Sequence, residues 1–231
     1  MQQIKVLSVG GSIIAPQEVD TSFLHSFYRA MQSYLEADPA RKLIFVTGGG
    51  APARSYQQAY REIVEVPEDD EQDWIGIEAT RLNARLLKGI FSRYCQQEVV
   101  SDPTAVSQFT GRVMIASGWK PGFSTDNDAV LLAEKFGADT VVNLSNIEKI
   151  YTADPKQDPE AEPIDAISWA DFRSMVGNEW TPGRNLPFDP VAAKRGERIG
   201  LRVVCAGGRD IENIRAILED RSFTGSVIGP E

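Results

Sequence analysis

Apolar residues fall along the chain in two alternating patterns, short unbroken runs and longer stretches at helical spacing. The runs at 4–9, 43–47, 113–117, 140–144 and 201–206 read as strands covered on both faces. Between the first two, Phe23, Leu24, Phe27, Ala30, Met31, Tyr34 and Leu35 share one helical face, with Asp20 or Thr21 as cap and Asp38-Pro39 as stop. Pro52 suits the first turn of a helix running to about residue 65. After an acidic hinge at 67–72, a long helix is predicted over about 73–94, with Ile75, Ala79, Leu82, Leu86 and Leu87 inward. Further helices are predicted after 125, from 168, up to 199 and over 211–218, with a short strand at 99–100 and a closing strand at 225–228. The segments 145–163 and 177–187 read as long loops. Alternating strands and helices with short glycine-rich joins imply an α/β fold, a three-layer αβα sandwich with a largely parallel central sheet. The whole of 1–231 is read as one domain.

Composition changes this picture little but narrows the function. With 42% hydrophobic and 25% charged residues, the chain has ordinary globular values. A net charge of −9 argues against broad binding to nucleic acid or an anionic membrane, while leaving room for a local cationic pocket. No apolar run approaches the roughly 20 residues that span a bilayer, and the first residues run straight into a strand, so a cytoplasmic protein without a leader is expected. Cys95 and Cys205 are far apart in apolar surroundings, the pattern of buried free thiols. With one histidine, His25, a Cys/His metal site is not expected.

The chemistry concentrates where strands end. Gly10-Gly11-Ser12 follows the first strand and Gly48-Gly49-Gly50 the second, so two turns can present backbone N–H groups to phosphate oxygens without a side chain in the way. The third strand runs into residues 118–126, which carry Lys120, Phe123, Ser124, Thr125 and Asp126. Ser124 and Thr125 stand just before a helix whose free N–H groups favour an anion, although a capping hydroxyl alone explains part of this pattern. The Gly-x-x-x-x-Gly-Lys-Ser/Thr and Gly-x-Gly-x-x-Gly patterns are absent from these turns. Phosphoryl transfer asks mainly for alignment and positive potential, and Arg54 can reach back over its own glycine turn to supply the latter.

Five segments occur in order: residues 48–54 (Gly-Gly-Gly-Ala-Pro-Ala-Arg), 73–80 (Asp-Trp-Ile-Gly-Ile-Glu-Ala-Thr), 121–126, 151–155 (Tyr-Thr-Ala-Asp-Pro) and 189–194 (Asp-Pro-Val-Ala-Ala-Lys). Together they resemble the uridylate (UMP) kinases of the amino acid kinase superfamily, most closely the archaeal-type branch. The resemblance covers essentially the whole chain. It implies transfer of the ATP γ-phosphoryl group to UMP, with Mg²⁺, in pyrimidine nucleotide biosynthesis. The acceptor part would span about 1–140 and the ATP part about 141–231. Gly49, Gly50 and Arg54 would hold the UMP phosphate, Asp73 its ribose with Gly76 leaving room beside it, and Phe123, Ser124 and Thr125 would line the acceptor site. Gly10, Gly11, Ser12, Ser145, Asn146, Tyr151, Asp154 and Pro155 would bind ATP. Asp126 and Asp189 would organise the reaction centre. Members of the family assemble as homo-oligomers built from dimers, hexamers among them, and the helices at 21–36 and from 73 would carry the contact.

The chain also departs from the pattern. Many superfamily members have a lysine in the first strand where this chain has Ser8, so the missing cation is sought in Lys120 or Lys194; Lys5 is placed on the same strand face. Glu148-Lys149 stands where Asp-Gly is usual, and Trp119-Lys120 precedes Pro121-Gly122 where other members differ, which would bear on acceptor choice. Two alternatives follow: a kinase of the same superfamily with another small acceptor, or a nucleotide- or oxyanion-binding protein without turnover.

Overall fold

The computed structural model describes residues 3–155, 158–177 and 186–230; most of the irregular segment read at 177–187 lies outside them. In chain order the elements are β1 (Gln3–Val9), α1 (Gly11–Ile14), α2 (Thr21–Ala37), β2 (Arg41–Thr47), α3 (Gly50–Ile63), α4 (Asp69–Ile90), β3 (Val113–Ala116), α5 (Thr125–Phe136) and β4 (Thr140–Ser145). There follow β5 (Ile150–Tyr151), β6 (Pro163–Ile164), β7 (Ala166–Ile167), α6 (Trp169–Val176), α7 (Pro190–Arg198), β8 (Arg202–Gly207), α8 (Ile211–Leu218) and β9 (Ser226–Ile228).

Seven strands form one sheet in the order β3-β2-β1-β4-β8-β9-β7. All neighbours are parallel except β8 and β9. Because side chains alternate across a strand, each strand feeds two cores. Leu7, Phe45, Ile115 and Val142 pack under α2, α4 and α8, while Val6, Ile44, Met114 and Val141 pack under α5, α6 and α7. Both faces are therefore covered, the condition that makes the strands apolar throughout. The chain moves outward from β1 through β2 to β3, then returns to the other side of β1 with β4 and β8. The reversal opens a crevice between the carboxyl ends of β1 and β4, the place where open α/β sheets bind ligands.

Several expectations shift. The acidic hinge is mostly helix: Asp69, Asp70 and Glu71 form the first turn of α4, where acidic groups suit the helix dipole. The helix therefore starts earlier and ends at Ile90, and its buried positions are Ile77, Thr80, Asn83, Ala84 and Leu87. Leu82 and Leu86, expected inward, face outward. The strand read at 99–100 is a single bridge from Val100 to Ala116. The long loop at 145–163 ends in a small antiparallel pair, Ile150 opposite Ile164. Lys5 lies an odd number of residues from Ser8, so it points to the other face and pairs with Asp220 at 3.1 Å. Both cysteines are buried free thiols. Among the described residues, no helix is long and apolar enough to cross a membrane.

Candidate active site

The two glycine turns meet. A Cβ added to Gly11 would lie 2.0 Å from the Gly50 nitrogen and 2.6 Å from the Gly48 carbonyl carbon. No side chain fits between these backbones, and Gly50 has a φ of +71° as well. The junction is tied by the Gly48 N–H donating to the Val9 carbonyl (3.0 Å) and the Ala51 N–H to that of Ala15 (2.9 Å). Gly10 closes the third side by donating to the Leu144 carbonyl (2.9 Å). Thus β1, β2 and β4 all deliver their ends to one point. Arg54 spans it: from α3, Nη1 donates to Ser12 Oγ at 3.0 Å and Nη2 to the Pro16 carbonyl at 3.3 Å.

On the β4 side of the junction lies a cavity of about 700 Å³, in the size range of small-molecule sites. All eight residues expected to bind ATP line it: Gly10, Gly11 and Ser12 on one wall, Ser145 and Asn146 at the end of β4, and Tyr151, Asp154 and Pro155 beyond. Asp126 also faces it. Sequence reading missed the apolar wall made by Met175, Val176, Leu186 and Pro187, which is suited to a flat aromatic base. The first two close α6 and the last two precede α7, so only the fold brings them beside Tyr151. Lys149 lines the cavity too, with its ammonium paired to Asp165.

The segment after β3 is fixed from three directions. Gly118 N–H donates to Thr80 Oγ1 (2.8 Å), Trp119 N–H to Asp128 Oδ2 (3.1 Å) and Gly122 N–H to Asp73 Oδ2 (2.9 Å). Asp73, expected at a ribose, therefore also anchors this loop to α4. Gly76, expected to leave room beside the ribose, lies where α3 packs on α4. A Cβ there would meet Gln57 Nε2 at 2.7 Å, so the space beside it lets α3 cross α4. Phe123 meets Trp119 edge to face at 4.9 Å, and Lys120 lies over both rings, 4.1 Å from that of Trp119 and 4.8 Å from that of Phe123. Lys120 is exposed in its own loop and does not line the cavity, and Lys194 is exposed on α7.

Ser124 caps α5 by accepting from the Asn127 N–H at 3.2 Å, and Thr125 opens the helix. Asp126 follows in the first turn, where Ser8 Oγ donates to its Oδ1 at 3.0 Å. Asp189 caps α7, accepting from the Ala192 N–H at 2.7 Å. Burial, followed by the charge of Asp189, raises the Asp126 carboxyl to about 7, against the Ser8 hydrogen bond, which lowers it. Asp189 is raised by burial. Asp128, fully buried, is raised by burial to about 7, and its Oδ1 has no hydrogen-bond partner. Three acidic groups thus gather where α5 and α7 begin, without an ion pair to any described residue. Among the described residues, no group of three or more His, Cys, Asp or Glu side chains could hold a metal ion.

The profile of the amino acid kinase family matches residues 3–207. Uridylate kinase from Methanocorpusculum labreanum is 35% identical over 227 residues, covering 97% of this chain and 94% of the relative. Uridylate kinase from Hyperthermus butylicus is 37% identical over 193 residues, 81% of this chain and 83% of the relative. Among solved structures, uridylate kinase from Archaeoglobus fulgidus superposes with a TM-score of 0.83 at 32% identity, covering 99% of this chain and all of that one. UMP kinase from Bacillus anthracis reaches a TM-score of 0.77 over 98% of this chain and 96% of its own at 18% identity, a likeness of fold.

Proposed function

The chain belongs to the amino acid kinase family, in its archaeal-type uridylate kinase branch, and from that premise we propose that it transfers the γ-phosphoryl group of ATP to UMP, giving UDP and ADP. The observation that carries this reading is the backbone junction of the two glycine turns, with a nucleotide-sized cavity on one side and the loop at 118–124 on the other.

The mechanism follows from what the reaction lacks. The nucleophile is a phosphate oxygen, already unprotonated at neutral pH, so no general base is needed. What remains is to bring two polyanions into line and to offset their repulsion. ATP occupies the cavity, its adenine between Tyr151 and the apolar wall of Met175, Val176, Leu186 and Pro187, its ribose near Asp154 and its phosphates toward Gly10, Gly11 and Ser12. UMP lies on the other side, its phosphate at Gly49, Gly50 and Arg54, its ribose at Asp73 and its base by Phe123, Ser124 and Thr125. The two glycine turns then bracket the transferring group, with no side chain between donor and acceptor. Arg54, already hydrogen-bonded to Ser12, is the cation that touches both halves and takes the place of a first-strand lysine. Lys120 sits at the rim of the acceptor loop and adds positive potential where UMP enters. Magnesium arrives with ATP as part of the substrate, and Asp126 and Asp189 orient the cationic groups around the transferred phosphoryl.

The same reading makes the protein a cytoplasmic enzyme of pyrimidine nucleotide biosynthesis and a homo-oligomer. The apolar face of α2 is spent in the core, so this reading puts the contact on α3 and α4. Tyr56 and Ile63 on α3, with Trp74, Leu82 and Leu86 on α4, leave an exposed apolar face, and a dimer formed there would cover it. Coupled ADP release over UMP, CMP, AMP and GMP tests the function. Turnover with UMP well above the others is expected; equal turnover with all four, or none, would refute it.

A further inference from the structure

Two polar side chains interrupt the apolar face of the sheet that packs on α5 and α7. Ser8 of β1 and Asn143 of β4 stand opposite each other in register, two residues beyond the buried pair Val6 and Val141. Burying a hydroxyl and an amide costs free energy unless both are hydrogen-bonded, so their partners show what the interruption serves. Ser8, 2% exposed, donates to Asp126 Oδ1. Asn143 Nδ2 donates to the Pro187 carbonyl at 3.0 Å, two residues before Asp189. One strand end therefore holds the first carboxylate directly, and its neighbour holds the backbone that carries the second.

We propose that Ser8 is a positioning residue for Asp126: it fixes this carboxylate at the cavity wall with a neutral donor, where a lysine in the same place would cancel its charge. The proposal rests on the phosphoryl-transfer reading. The groups that face Asp126 from the surrounding elements are Asp189 at the start of α7, Asp128 on its own helix and the Cys205 thiol on β8, and none of them is a cation. Among the described residues, Ser8 is the one side chain whose hydrogen bond favours the ionised form, assisted by the Asp189 backbone. Its hydroxyl thus directs the carboxylate and, against the larger effect of burial, lowers the pH at which it ionises.

The test compares Ser8→Ala and Ser8→Thr with the wild type. Carbon-13 NMR of the aspartate carboxyls in the ligand-free protein reads the Asp126 titration. Loss of one hydrogen bond to a charged group should move its midpoint up by about one pH unit in Ser8→Ala. The same variant should lose about tenfold in kcat with UMP, with both KM values within about twofold of wild type. Ser8→Thr keeps the hydroxyl and should return both quantities to wild type. An unmoved midpoint in Ser8→Ala, or a threonine variant that behaves as alanine does, overturns the proposal. If the wild type does not phosphorylate UMP, the kinase reading fails on its own, and the titration still decides whether Ser8 governs Asp126.

Discussion

Replacing Asp128 by asparagine should stabilise the protein in a way that depends on pH. The side chain is wholly buried, one oxygen accepts from the Trp119 N–H and the other has no partner. Burial raises its pKa from 3.8 to about 7, so between those values the folded state holds a proton that the unfolded state releases. Stability from this group is then fully present below about pH 4 and falls as pH rises toward 7. A shift of about 3 pKa units corresponds to about 4 kcal/mol at pH 8 if Asp128 carries it alone. Asp126 and Asp189 are raised as well, so the penalty is shared, and about 2 kcal/mol is the expected part for Asp128. Asparagine keeps an acceptor for Trp119 and never ionises. Its unpartnered N–H₂ is as costly as the hydroxyl of the protonated acid, so the two proteins should be about equal near pH 4.5. Urea unfolding at pH 4.5 and pH 8 measures the difference. A gain for Asp128→Asn that appears only at pH 8 fits the reasoning. A change of the same size at both pH values, or a loss at pH 8, refutes it.

Other consequences test separate parts of the site. Arg54→Ala removes the cation between the two halves and should lower kcat/KM for UMP by about 10- to 100-fold, the worth of a charged hydrogen bond; a loss confined to the KM of ATP would place Arg54 on the donor side alone. Asp73→Asn should raise the KM of UMP, because the loop at 118–124 loses part of its anchor to α4, and should leave ATP affinity unchanged in a fluorescent-nucleotide titration; an equal effect on both substrates would contradict the division of the site. Gly11→Ala puts a methyl group 2.0 Å from the Gly50 nitrogen, so the junction must open, and the variant should either fail to fold or unfold at least about 3 kcal/mol more easily in urea; wild-type stability and activity would show that the turns need not touch.

Much of this was legible in the chain because each strand announces its own end. Runs of apolar residues stop at Gly10, Gly48 and Gly118, so the strand ends that meet at the junction and open the loop at 118–124 could be read without a fold. The carboxyl end of β4 was legible for the same reason, and Ser145 and Asn146 do face the cavity. What escaped depends on contacts between distant segments. Ser8 reads as a lysine lost until the structure shows it bonded to Asp126, 118 residues away. The approach of Gln57 to Gly76 across a helix crossing is a contact that no local pattern announces. Leu82 and Leu86 satisfy a helical period, yet that period does not say which of two apolar stripes on α4 the sheet takes. Asp128 has the sequence of an ordinary first-turn carboxylate, yet the structure buries it fully and bonds it to the Trp119 N–H.

In the proposed reaction the junction of the two glycine turns aligns ATP with UMP for direct transfer. Phosphorus-31 NMR of the purified protein with equimolar ATP, UMP and magnesium follows this without coupling enzymes. The ATP γ resonance should fall toward an equilibrium level, one phosphoanhydride being exchanged for another, as the resonances of UDP and ADP rise in equal amounts with no free phosphate. Loss of ATP to inorganic phosphate without UDP, or ATP that persists beside unchanged UMP, would contradict it.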